Sequence, residues 1–325
     1  MKHLYFIGNG FDLHHGFKTS YTDFRYWLKS YHNEAYQDLI SLYGINDDDS
    51  DMTYDWWSTF EAHLVDFEVY DDILEISREH SIDYGSDGFR EGDRYSGGVE
   101  ASERFEKTML TILGLFNSWI DSLGNLSSAQ EVKLDKSADF ITFNYTLTLE
   151  SVYNIPSEQI HHIHGKYGTD DYVLGHGRTY EDIEKSIRAN EPQPSKNLIG
   201  PELYNWHDEH WDESYDNTVR YTVLTLANFR KDTDFIIRAY CDLFHAMSDL
   251  KEITILGCSF SEIDAPYFSE AIRRVNDKEK LKFVVSWYSE RDLGNIDKFF
   301  CLEGIAADRV RKIQLADITC SKRSN

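Results

Sequence analysis

Cysteine is scarce: Cys241, Cys258, Cys301 and Cys320 are the four in 325 residues, and no two stand in CxxC spacing. That excludes a disulfide framework and a zinc module of paired cysteines, and it fits a chain kept in a reducing cytoplasm. Apolar runs of roughly 18 residues, the length that spans a bilayer, are missing as well. A secretory leader is not expected either, because Gly8 and Asp12 interrupt the opening segment before an apolar region can develop. Positive charge is in short supply, with 33 basic against 57 acidic residues and a formal net charge of −24. Such a surface repels nucleic-acid phosphates and anionic membranes, which argues against either as the main partner. It leaves room for a nucleotide, since local backbone donors hold phosphate inside an acidic protein.

The remaining composition, 41% hydrophobic and 14% aromatic, is that of a globular chain. Its length suits one large α/β domain, 1–325, carrying insertions at about 45–135 (helical, with a glycine-rich loop) and about 190–220 (an irregular loop). The opening stretch, His3 to Leu13, is a short apolar run ending in Gly8-Asn9-Gly10, with a helical pattern soon after. Glycines permit a sharp turn and close backbone approach, and a helix N-terminus supplies N–H donors to a phosphate. The third glycine of the dinucleotide fingerprint is absent: Leu13 stands there, and Gly16 is out of register. Taken alone, the turn reads equally as a bend under a buried strand or a cofactor loop.

Ser20 to Asp23 has the form of a capping box, and Tyr21, Phe24, Leu28 and Tyr31 recur at helical spacing, predicting a helix to about position 43. The acidic run from Asp47 to Asp51 reads as a solvated loop. Trp57, Phe60, Leu64 and Phe67 form a second helical stripe, and Phe105 through Ile120 a third. Between them Gly85, Gly88, Gly92, Gly97 and Gly98 suggest a long loop, either disordered or a lid. Strands are expected at Asp139–Asn144, Ile160–His164, Tyr172–Gly175, Ile253–Gly257, Leu281–Ser286 and Val310–Leu315. A short helix should end at Asn154 and Pro156. A long helix is marked by Ile236, Tyr240, Leu243 and Met247, and further helices by Ala265 onward and Asp292 to Phe299. His207-Asp208-Glu209-His210 resembles a ligand set, but without helical periodicity it reads as surface loop, and no metal site is expected. Strands alternating with helices predict a mostly parallel sheet with helices on both faces.

Four strand ends share small, polar or titratable residues: Gly8-Asn9-Gly10, Asn144-Tyr145-Thr146, His164-Gly165 and Gly257-Cys258-Ser259. In an open parallel sheet, ligands bind outside the carboxyl ends of the strands. On a strand His162 and His164 share a face and His161 points the other way. His14, His15, His161 and His162 read as packing or surface residues.

The blocks IGNGFDLHHGFKTSYTDF, WWSTFEAHL, FITFNYTLTLE with the following HIHG, and ILGCSFSEIDAPYF together resemble the bacteriophage abortive-infection AbiH family. More distantly, the glycine turn, the strand-end asparagine, the His-Gly and the Gly-x-Ser are similar to the sirtuin NAD-binding fold. That resemblance implies a Rossmann-like core with NAD lying across the strand ends. By motif, Asn144 matches the asparagine near the nicotinamide ribose and His164 the catalytic histidine. Gly8, Asn9 and Gly10 match the turn at the pyrophosphate, and Gly257 with Ser259 the second nucleotide turn. Asp12, Thr146 and Gly165 complete the expected nucleotide-binding set. Asp12 is a second carboxylate near the cationic centre or a cap of the following helix. The chain departs from sirtuins in having Asn-Gly-Phe-Asp for Ala-Gly-Ile-Ser and Thr146 for aspartate. It also lacks their paired-cysteine zinc module, which argues against protein deacylation.

The expectation is an NAD glycohydrolase-like anti-phage effector in the cytoplasm, cleaving the nicotinamide–ribose bond of NAD or a related nucleotide with water. Its partners would be a nucleotide and a phage-derived protein trigger, with neither nucleic acid nor membrane, and self-association is compatible with the chain. The alternative is a nucleotide-binding sensor in phage defence without turnover.

Overall fold

A computed structural model describes the chain except residues 49, 66–74, 76–78, 80–86, 89, 125–129, 170–171, 211 and 322–325. Asp49, Phe67 and Gly85, used in the readings above, lie outside the described residues. The described strands are β1 (His3–Ile7), β2 (Gln130–Val132), β3 (Asp139–Thr142), β4 (Ile160–His162), β5 (Glu252–Leu256), β6 (Lys282–Ser286), β7 (Val310–Ile313) and β8 (Thr319–Ser321). Six of them form an all-parallel sheet in the order β4-β3-β1-β5-β6-β7, and β2 pairs antiparallel with β8.

A parallel sheet buried on both faces needs strands that are apolar throughout, and β1 shows how this sequence meets that demand. Leu4 and Phe6 join Ile141, Ile253, Ile255, Tyr267 and Phe268 in one core. Tyr5 and Ile7 join Phe11, Phe140, Leu149 and Tyr153 in another. Side chains alternate across a strand, so the two cores lie on opposite faces, each supplied by helices. Phe6 meets Phe268 edge-on at 4.9 Å, and Tyr5 stacks on Phe140 at 4.8 Å. Each such buried ring contributes about 1.5–3 kcal/mol.

From β1 the chain builds outward to β3 and β4, then returns past β1 to add β5, β6 and β7. Strand order therefore reverses between β1 and β5, the kind of switch point at which open α/β sheets bind ligands. Register sets what meets there. Ile7 pairs with both Thr142 and Leu256, and Thr142 pairs with His162. The residues that follow, Gly8, Phe143, Ile163 and Gly257, leave the sheet at one level.

The chain divides into two compact units. One, Met1–Trp27 with Leu115–Gly177 and Lys231–Asn325, contains the sheets; the other is Leu28–Gly114 with Arg178–Arg230. In the described residues the second unit is helical, built on helices that include Asn33–Leu42, Asp51–Ser58, Tyr180–Ile187, Pro201–His210 and Glu213–Asn228. Trp57 stacks between Tyr36 and Phe60, and Arg188 ties Glu184, Glu191 and Asp216 together.

Several expected elements differ. The Ser20–Asp23 capping box forms, with Ser20 N–H donating to Asp23 Oδ2 and Asp23 N–H to Ser20 Oγ, but its helix ends at Tyr31 and a second begins at Asn33. Tyr172–Gly175 is not a strand. The helix expected through Ile236 and Met247 breaks into Thr233–Ala239, Cys241–His245 and the 3₁₀ turn Ala246–Asp249. Gly97 and Gly98 open the helix Ser96–Leu123 rather than lying in a loop. A Cβ on Gly98 would come 2.7 Å from the Tyr221 ring, so close helix approach selects glycine there. The expected irregular stretch at 190–217 instead contains the helix Pro201–His210 and the start of Glu213–Asn228.

Candidate functional site at the carboxyl edge of the sheet

The turns after β1 and β5 touch backbone to backbone. Gly8 N–H donates to Leu256 O and Gly10 N–H to Gly257 O, both at 2.9 Å. A Cβ on Gly8 would stand 2.5 Å from Gly257 O, and one on Gly10 2.9 Å from Gly257 Cα. Gly257 has φ +68°, and a Cβ there would fall on the Phe11 amide. Close approach fixes all three glycines. The donors expected to meet a phosphate at Gly8 and Gly10 are engaged with Leu256 and Gly257, and Phe11 N–H is engaged with Gly8 O. Asn9 is also engaged: its amide donates to Thr19 O at 2.8 Å, and its carbonyl accepts from the Thr19 hydroxyl at 2.7 Å.

Beyond Gly257 the loop stays strained. Phe260 has φ 56°, a left-handed conformation that a bulky residue seldom adopts; its ring is held against Phe268, Phe299 and Phe300. That anchorage leaves Ser259 exposed at the loop's surface. Gly165, at φ 88°, turns the chain after His164.

Asp12 is where the polar residues converge. It lies in the short helix Asn9–His14 and is 0% exposed. Its Oδ2 accepts from the Thr146 hydroxyl at 2.5 Å, and Thr146 in turn contacts the Thr148 hydroxyl at 3.0 Å. Among the described residues, Asp12 Oδ1 has no hydrogen-bond donor. Burial pushes its carboxyl up to about 6. Thr146, Thr148, the Asn144 amide and the charge of His162 oppose that rise. Asn144, also buried, donates from Nδ2 to Gly8 O at 3.1 Å, while its own Oδ1 has no donor among the described residues. Buried acceptors normally find donors, so two orphaned oxygens on neighbouring side chains at a switch point fit a ligand that carries hydroxyl or N–H groups.

The two histidines part company. β4 ends at His162, whose side chain is 7% exposed; Nδ1 lies 3.2 Å from Asn144 O and Nε2 2.9 Å from Glu150 Oε1. The chain then turns through Ile163, and His164 packs against Phe143 and Tyr267. Both of those rings belong to the core of Leu4 and Phe6. His164 is 1% exposed, with Nε2 3.2 Å from the Tyr267 hydroxyl. Burial and the Lys231 ammonium hold its imidazolium form well out of reach at neutral pH, against a hydrogen bond to Phe143 backbone. Asn144 is thus brought to Asp12, Thr146 and His162, and no hydrogen bond joins it to His164 among the described residues. The turn at Ile163 is why the shared face expected of His162 and His164 does not arise.

Glu150, Thr148 and His162 belong to this cluster, although none stands among the expected site residues. Thr148 and Glu150 follow the strand-end motif at Thr146 by two and four residues, a spacing that could have flagged them once the helix Thr148–Ser151 was placed. His207 and His210 do share a helix, where the His210 ring stacks on Trp206 at 4.2 Å. Among the described residues, one trio of metal-ligand types comes together, Cys241, Asp242 and His245 on a single surface turn.

Fold and site together define a parallel α/β protein that gathers a carboxylate, an amide and an imidazole at its strand ends. The family model for Bacteriophage abortive infection AbiH matches residues 4–287, and the chain belongs to that family. Membership points to a role in abortive infection of bacteriophage. Searches of curated proteins and of solved structures found no match. No helix among the described residues is long and apolar enough to cross a membrane.

Proposed function

We propose that the chain acts in abortive infection by binding a nucleotide across the switch point and hydrolysing the nicotinamide–ribose bond of NAD or a close relative. The observation that carries this reading is the buried Asp12 carboxylate, whose Oδ1 has no donor among the described residues, beside the Asn144 side-chain Oδ1, which has none there either. The sheet order, read with its six parallel strands renumbered along the chain, is 3-2-1-4-5-6, the order of Rossmann-type dinucleotide folds. The bond to be broken has a cationic leaving group, so catalysis needs negative charge near the oxocarbenium-like carbon and a placed water. Cleavage returns the C1′–N pair to the nicotinamide ring. Water forms the new C1′–O bond, and its proton passes to Asp12, whose carboxyl titrates near 6. Asn144 orients a ribose hydroxyl or the water. Asp12 takes the part of base in place of His164, which is sealed and neutral. The protein would work on the cytoplasmic nucleotide pool after a phage-derived trigger.

Incubating purified protein with NAD, with and without phage lysate as trigger, and following free nicotinamide tests the reading. Turnover that disappears in Asp12→Asn is expected. No release under any condition refutes hydrolysis. The sealing of His164 favours a second reading, a sensor that binds nucleotide without turnover. That reading predicts a saturable thermal shift with NAD and no nicotinamide.

A further inference from the structure

We infer that the surface turn carrying Cys241, Asp242 and His245 binds a borderline divalent metal ion, zinc above all, with those three side chains as its ligands. Their ligand atoms, a thiol sulfur, a carboxylate oxygen and an imidazole nitrogen, lie within 4.8 Å of one another. The Cys241 sulfur is 3.8 Å from Asp242 Oδ1. Zinc bonds of about 2.3 Å to sulfur and about 2.1 Å to oxygen, meeting at a tetrahedral angle, set those two atoms about 3.6 Å apart. The sulfur–oxygen edge of such a site is therefore nearly in place, and small rotations of surface side chains bring in the imidazole.

The local chain explains the grouping. In the helix Cys241–His245 the cysteine and the histidine stand four residues apart and so share a face, with Asp242 flanking them. The backbone beneath is pinned. Phe244 and Met247 are both 0% exposed in the core of Leu4 and Phe6. Phe244 N–H donates to Tyr240 O, and Ala246 N–H to Asp242 O. A fixed backbone lowers the ordering cost of chelation. Asp242 and His245 are exposed and Cys241 is half-buried, so an ion reaches all three from solvent. Among the described residues, no side chain outside the trio hydrogen-bonds or ion-pairs with any of them, and a metal displaces no established interaction there. The donor set chooses the metal. Magnesium and calcium take oxygen ligands, whereas a thiolate with an imidazole suits zinc or cobalt. Cys241 coordinates as the thiolate and its proton goes to water, so apparent affinity should rise with pH. Three protein ligands leave the fourth tetrahedral position to a water. The site stands whether or not the strand ends bind a nucleotide.

Cobalt(II) tests this directly, because thiolate coordination gives a near-ultraviolet charge-transfer band and tetrahedral geometry gives intense visible bands. The full chain, reduced and stripped of metal with a chelator, is titrated with Co²⁺ in the absence of oxygen and then with Zn²⁺. Both sets of bands should saturate at a single equivalent of Co²⁺ and vanish as Zn²⁺ displaces it. Cys241→Ser should abolish the charge-transfer band, whereas Cys301→Ser, which removes an exposed thiol outside the trio, should leave it intact. His245→Gln and Asp242→Asn should each weaken Co²⁺ binding at least about tenfold, a loss seen even when a group that merely hydrogen-bonds to a metal ligand is removed. Absence of the charge-transfer band in the native chain, or its survival in Cys241→Ser, overturns the site. So does a band lost in Cys241→Ser with affinity unchanged in both His245→Gln and Asp242→Asn, since the thiol alone would then be taking the ion.

Discussion

Replacing Asp12 with asparagine should make the protein more stable while removing its proposed base. The carboxyl is fully buried, one oxygen takes the Thr146 hydroxyl, and the other lacks a donor among the described residues. Burial raises it from an ordinary 3.8 to about 6. At 1.36 kcal/mol for each pH unit, keeping it ionised well above pH 6 costs the folded state about 3 kcal/mol. The sign follows from which state holds the proton more tightly. The folded carboxyl does, so its stabilisation is complete below 3.8 and is lost as pH rises through about 6. Asparagine does not ionise and escapes that loss, while Thr146 can turn its hydroxyl to accept from the new amide. The variant's advantage should widen by about 0.8 kcal/mol between pH 5.5 and 8, a range that stays above the sequence pI of 4.8. Urea titrations of both proteins at the two pH values, followed by far-UV circular dichroism, measure the gap. An advantage that does not grow with pH, or a variant less stable at pH 8, would refute the assignment of Asp12 as a strained ionised group. Loss of nicotinamide release in a variant that is more stable would separate chemistry from folding.

Four other substitutions test the local packing that the structure shows. Gly257→Ala should cost more than about 3 kcal/mol or prevent folding, because the added methyl meets the Phe11 backbone. Gly16→Ala, at φ +80° with nothing within 4 Å, should cost only about 1–2 kcal/mol; similar melting temperatures for the two would refute the close-approach argument. Asn9→Ala removes both hydrogen bonds to Thr19 and should cost about 1–3 kcal/mol in urea unfolding, with nucleotide binding retained; lost binding would return Asn9 to a ligand role. Thr179 caps the helix Tyr180–Ile187 by accepting from Asp182 N–H, so Thr179→Ala should lower stability by about 1 kcal/mol and speed amide exchange in that helix.

The strands of the parallel sheet were legible because a buried parallel strand is a short apolar run closed by glycine or a polar turn, and β1, β3, β5 and β6 have that form. Their spatial order was not, since pairing Ile7 with both Thr142 and Leu256 joins residues more than a hundred positions apart. The helix Glu213–Asn228 escaped notice for a chemical reason. Its buried stripe alternates Ser214, Thr218, Thr222 and Thr225 with Val219, Val223 and Leu226, and hydroxyl residues blur an apolar period. At the site the failure is more instructive. Alternation along β4 gave His162 and His164 one face, yet the period of two holds only while the chain remains a strand. Thr142 pairs with His162 and there the ladder ends, so the next two residues are free to rotate His164 into the aromatic core. The glycines show a second limit of reading in one dimension. Gly8, Gly10 and Gly257 look like a phosphate cradle in one dimension, but their N–H groups donate to Leu256 O, Gly257 O and Ser286 Oγ, and the close approach of the two turns accounts for their missing Cβ atoms. On the proposed reading a ligand would meet instead Asp12 Oδ1 and Asn144 Oδ1, two acceptors without donors among the described residues. A ligand suited to this edge of the sheet should therefore bring hydroxyl hydrogens to the protein.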